Sequence, residues 1–201
     1  MNRITPFTTS KTDARGNLVP VPGMKTFDTE KTYDCVMNRF KFGGVSTPGI
    51  YLDETVMRMC HTHRRLLAQL ALNLANEDKK EKAANVLKLA EKELPTYNVP
   101  VDYQSGSGDM ARAYAAIGQN DKAKEIIQQL MTKSIQYMNW YCSLSPVRFN
   151  GAQNDCMYHL YIMQHLLQIA DSFDTKFADK IEQQLDVVLA HYHQKGGCLG
   201  L

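Results

Sequence analysis

Residues 64–95 constrain this chain most, because their apolar positions fall on two helical faces separated by a short polar turn. Leu66, Leu67, Leu70, Ala71 and Leu74 recur at three- and four-residue spacing, and Ala83, Val86, Leu87, Ala90 and Leu94 do the same after Asn76, Glu77 and Asp78. Two amphipathic helices joined this tightly fold back on each other, each covering the other's apolar face. Asp78 is placed to cap the second helix, with Glu81 three residues on in the D-x-x-E form of a capping box, and Pro95 stops it.

The pattern then recurs. Ser107 can cap a helix carrying Met110, Ala111, Tyr114 and Ile117, Gly118 ends it as a C′ glycine, and Asn120 can start the next. Ala123, Ile127 and Leu130 repeat Ala83, Leu87 and Ala90 at an offset of 40 residues. A third, weaker pair places Met157, Leu160, Tyr161, Leu167 and Ile169 before a break at 171–174, and Ala178, Ile181, Leu185, Val188 and Tyr192 after it. With Asp53 as the first N-cap, the spacing predicts about six main helices, at roughly 53–76, 79–94, 107–117, 120–141, 154–170 and 175–194. Three hairpins are about the minimum for a stable stacked array, so the expected class is all-α.

Before that array, residues 1–50 lack helical periodicity and are interrupted by Pro6, Gly16, Pro20, Pro22, Gly23, Gly43, Gly44, Pro48 and Gly49. The aromatics Phe7, Phe27, Tyr33, Phe40, Phe42 and Tyr51 are too many for a solvated tail, so an irregular arm packed on the body is expected. Phe40, Phe42 and Tyr51 are the expected contacts, and residues 1–25 the mobile part. The domain plan is thus an arm at 1–50, a helical body at 51–195 and a tail at 196–201.

Charge and cysteine content exclude several classes. Lys and Arg total 23 against 21 Asp and Glu, which lacks the positive excess of a nonspecific phosphate binder, so no nucleic acid partner is expected. The longest mostly apolar run, 66–75, is about half the length of a membrane span, so no spanning segment is expected in this chain. Residues 1–10 show no apolar h-region, so no signal peptide is expected either. Five cysteines, Cys35, Cys60, Cys142, Cys156 and Cys198, have no C-x-x-C pair and read as buried free thiols, with a Cys142–Cys156 bridge conceivable in an oxidising compartment.

The histidines form three pairs: His61 with His63, His159 with His165, and His191 with His193. Residues two apart on a helix point about 200° apart, so neither H-x-H pair can chelate one ion while helical, and no metal, cofactor or catalytic residue is expected. A small metal-dependent enzyme is the weakest of three readings. Ser105-Gly106-Ser107-Gly108 can serve either as a loop with an N-cap or as an anion cradle at a helix start, and the loop is favoured. For ligand binding the candidates are Tyr137, Trp140 and Tyr141, within about one helical turn, with Arg148 and Asn150 in the following 145–151 loop. Flat rings beside polar donors suit a sugar or an extended peptide, although the same cluster could be core filling between two hairpins.

Two resemblances follow from these residues. Leu67, Leu70, Ala71, Leu74, Ala83, Leu87, Ala90 and Pro95 stand at the signature positions of a tetratricopeptide repeat, and Ala111, Tyr114, Ala123, Ile127 and Leu130 repeat most of them. Ala68 and Leu72 stand where chaperone-binding members carry a carboxylate clamp, so that ligand is not implied. The run Tyr33-Asp34-Cys35-Val36-Met37-Asn38-Arg39-Phe40-Lys41-Phe42-Gly43-Gly44, followed by Tyr51-Leu52-Asp53-Glu54 and helical hairpins, resembles the soluble C-terminal region of a bacterial family of polytopic membrane proteins similar to protein O-mannosyltransferases. That resemblance implies a non-catalytic positioning module at the periplasmic face of the inner membrane. Its partners would be the upstream membrane domain of the same polypeptide and a protein or peptide, such as a glycosylation acceptor. The alternative is a free-standing cytoplasmic scaffold that binds a protein or peptide.

Overall fold

The computed structural model describes residues 10–12, 18–20 and 28–197, and the expectations for most of residues 1–25, for Phe7 and Phe27 and for Cys198 fall outside them. The chain divides into two compact units, Met1–Lys41 and Phe42–Leu201. In the first, β1 (Ser10–Thr12) pairs antiparallel with β2 (Leu18–Pro20), Lys11 opposite Val19. After them comes α1 (Thr29–Asn38), whose N-cap Asp28 accepts from the Lys31 amide at 3.0 Å. This helix corrects the expectation of a wholly irregular arm. It lacks a continuous apolar stripe, and Asp34 braces its end, accepting from Asn38 at 2.8 Å and from Arg39 at 3.1 Å.

The second unit is all-α. Its helices are α2 (Glu54–Asn76), α3 (Lys80–Glu93), α4 (Ser107–Ala116), α5 (Asn120–Ser143), α6 (Pro146–Gly151), α7 (Gln153–Asp171) and α8 (Thr175–Gln194). Eight helices are therefore described rather than about six, the additions being α1 and α6. Asp53 caps α2 as its spacing predicts, accepting from the Val56 amide at 2.8 Å. The expected capping box of α3 is absent. Asp78 instead stands at φ 60° and closes α2, its own amide bonding Ala75 O at 3.0 Å while the Lys79 amide bonds Leu74 O at 2.9 Å. This is a Schellman closure, and Gly118 repeats it for α4 at φ 84°, with Gln119 N on Tyr114 O at 2.9 Å. The 40-residue offset in the sequence is thus an offset between two equivalent helix stops.

Packing follows the apolar faces. Helix α2 lies against α3 and α4, α4 against α5, α5 against α7 and α8, and α7 against α8. Leu67, Ala68, Leu70, Ala71 and Leu74 are fully buried, as are Ala83, Val86, Ala111, Ala123 and Ile127. The alanines let helix backbones approach, and each buried leucine contributes about 1.5–3 kcal/mol of transfer free energy. Glu91 joins α3 to its neighbours, accepting from the Tyr114 phenol at 2.6 Å and from Lys122 Nζ at 2.5 Å.

Two local expectations change here. Tyr51 is 89% exposed and makes no anchoring contact with another described residue. The segment before α2 is instead fixed by Asn98, which donates to Val45 O and Thr47 O at 2.7 Å each, by the Tyr97 hydroxyl on Ser46 O, and by Phe42 edge-on to His63. Residues 146–151, expected as a loop, form α6, because Pro146 is preorganised for a helix start and Phe149 is buried against Tyr192 at 5.8 Å between ring centroids. No helix among the described residues is long and apolar enough to cross a membrane.

Candidate functional site: an aromatic shelf and a cationic groove

Tyr137 and Tyr141 lie four residues apart on α5, beside a face whose neighbours Met138 and Cys142 are buried. The rings therefore emerge at the edge of the core. Helix α7, packed along α5, brings His159 against them: its ring stacks on Tyr137 at 4.6 Å and 17°, and lies 6.1 Å from Tyr141. Trp140 tilts onto Tyr141 at 4.9 Å, and Tyr158 meets His159 edge-on at 5.5 Å. Despite these contacts the shelf faces solvent, with Tyr137 42% and Trp140 55% exposed. Burial pushes the His159 pKa below its ordinary value, so the imidazole is neutral at pH 7 and stacks as a flat uncharged ring. Arg148 and Asn150 are exposed on α6, and neither side chain makes a hydrogen bond, ion pair or ring contact with another described residue.

A groove of about 530 Å³ opens beside this shelf, between α2, α4 and α7. Arg58, His61, Thr62 and Arg65 line it from α2 at the i, i+3, i+4, i+7 spacing of one helical face. Tyr158 and His165 line it from α7, and the α4 start contributes Tyr103, Gly106, Gly108 and Asp109. Tyr103 Oη lies 2.9 Å from His165 Nδ1, and Tyr161 stacks on that imidazole at 6.3 Å. Burial lifts the Tyr103 phenol to about 12 and lowers His61 and His165, so all three are neutral near pH 7.

The α4 start owes its shape to a buried cation. Arg64 falls on the apolar face of α2, three residues before Leu67, and is buried. Its guanidinium donates to Leu94 O at 3.1 Å, Val99 O at 2.6 Å, Pro100 O at 3.0 Å and Ser105 Oγ at 2.9 Å. Burial draws its pKa down to about 10, which leaves it charged at neutral pH. Ser105 in turn donates to Asp102 O at 2.7 Å, and Asp102 pairs with Lys133 and accepts from the Gln104 amide at 2.9 Å. Ser107 is not the N-cap its position suggested. That place is taken by Gly106 at φ 81°, where a Cβ would stand 2.4 Å from Arg65 Cγ, and no side chain caps the helix.

Tyr137, Trp140 and Tyr141 are neighbours in the sequence, whereas His159 and the groove lining come to them from other helices. The available signal was the polar stripe Arg58, His61, Thr62, Arg65 on an otherwise amphipathic helix. Cys60, Cys142 and Cys156 are buried free thiols, and Cys35 is free and partly buried. Burial raises Cys156 to about 11. Among the described residues no three His, Cys, Asp or Glu side chains gather as a metal set. No protein-family model, curated protein or solved structure matches the chain.

Proposed function

We propose that this chain is a non-catalytic binding or positioning module, a tetratricopeptide-like array whose ligand lies on the aromatic shelf of α5 and α7. The hairpins α2/α3, α4/α5 and α7/α8 form the array, irregular at its second junction because α7 packs on α5 more than on α4. One observation carries the reading: Tyr137 and Trp140 are held in order by His159 and by the half-buried Tyr141, yet remain at the surface. Rings fixed in this way lose little entropy on binding, and exposed Tyr and Trp are the side chains that most often anchor interfaces. A sugar or an extended peptide, such as a glycosylation acceptor, fits such a shelf.

A further part of the proposal is that the module belongs to a membrane-embedded, lipid-sugar-dependent glycosyltransferase at the periplasmic face. It rests on the resemblance of residues 33–44, and a native reading frame lacking apolar helices upstream would refute it.

Trp140 is the single tryptophan, so intrinsic fluorescence reads the shelf directly. Iodide should quench it, and a bound glycan or peptide should shift the emission and protect against iodide, with Tyr137→Ala abolishing the response. An iodide-insensitive Trp140, or one that responds to no member of a glycan and peptide panel, defeats the reading.

A further inference from the structure

The groove beside the shelf carries charge that the fold itself does not use. Arg65 makes no hydrogen bond or ion pair with another described residue. Among the described residues Arg58 meets only Glu54, at 3.7 Å, with side chains 70% and 85% exposed, and such a surface pair holds a guanidinium weakly. Asp109 also lines the groove, and its pair with Arg112 at 3.9 Å is a weak surface pair of the same kind. Two guanidinium groups thus face a cavity that holds one carboxylate, so its lining keeps a net positive charge. Two helical turns separate them, about 10 Å along the axis, and Arg side chains are long enough to converge on one group above His61 between them. Guanidinium groups bind phosphate and carboxylate in paired, parallel hydrogen bonds. Tyr158 forms the wall shared with the shelf, through its contact with His159.

We propose that the groove between α2, α4 and α7 is an oxyanion subsite, taking a phosphate or carboxylate through Arg58 and Arg65. The corollary, that the ligand of the shelf is anionic, rests on the function proposed above; the subsite itself does not. This is not a peptide carboxylate clamp at Ala68 and Leu72, which contribute no charge.

The test is calorimetric titration of the full chain with inorganic phosphate and, separately, succinate at constant ionic strength. Wild type should bind at least one of them saturably at one site, and Arg65→Gln should weaken it at least tenfold while leaving the melting temperature unchanged, since glutamine keeps the Cγ that lies beside Gly106. Arg58→Gln should weaken it similarly. Phosphate alone identifies a phosphate ester, succinate alone a carboxylate, and both a general oxyanion site. Absence of saturable binding, or affinities unchanged in both variants, overturns the subsite. Trp140→Ala should leave phosphate affinity intact. A chain that binds phosphate but no glycan or peptide on the shelf therefore fails the proposed function alone.

Discussion

Replacing Arg64 with methionine tests how the groove is built. Methionine has a similar reach without the guanidinium, so the change removes four hydrogen bonds that link α2 to Leu94, Val99, Pro100 and Ser105. The four acceptors do not suffer equally. Pro100 is exposed and can turn to water, and Ser105 Oγ keeps its bond to Asp102 O and its contact with Ser107 Oγ at 2.9 Å. Leu94 and Val99 are buried, so their carbonyls are left without a donor, at about 1–3 kcal/mol each. Removing a buried cation relieves part of its desolvation cost, which offsets some of this loss. The expected net is a destabilisation of about 3 kcal/mol, read as a fall of about 6–12 °C in melting temperature for a chain of this size. Urea denaturation should show a lower midpoint at unchanged slope. Lysine should not rescue, because one ammonium cannot span acceptors placed by both ends of the α3–α4 connection. The neighbouring exposed Arg65→Gln is the control and should stay within about 0.5 kcal/mol of wild type. If Arg64→Met did the same, the guanidinium would not be what holds the connection.

Two further predictions concern turns and titration. Asp78→Gly should stabilise the chain by about 0.5–1 kcal/mol by removing a side chain from the left-handed region, whereas Gly118→Ala should destabilise it by about 1 kcal/mol; urea midpoints moving in the opposite directions would show that the two stops are not equivalent. His61, His159 and His165 have pKa values lowered by burial, so above about 6.5, the unfolded value, their neutral forms leave stability intact. As pH falls from there through the folded values, the unfolded chain takes up more protons and stability declines. A urea midpoint that is flat between pH 7.5 and 5 would contradict this.

Much of the helical framework was legible because amphipathic spacing between strong breakers is a local property. The stripe of Leu67, Leu70, Ala71 and Leu74, the cap at Asp53 and the stop at Gly118 each depend on residues within a turn or two, and the described helices lie close to those spans. Helix α6 escaped because six residues are too few to show a period, and its Phe149 is buried by Tyr192, far away in the chain. An aspartate after a helix can cap the next one or close the last, and spacing does not choose between them. The structure gives Asp78 the second role because the Lys79 amide reaches Leu74 O. Three of the shelf's rings were visible as neighbours on α5, but only tertiary packing supplies His159, and only tertiary packing leaves the rings at the surface. The clearest case is Arg64. Its place on the apolar face of α2 is plain in the sequence, but whether a cation there turns outward or is buried depends on carbonyls and a hydroxyl 30 to 41 residues away, which no local pattern can place.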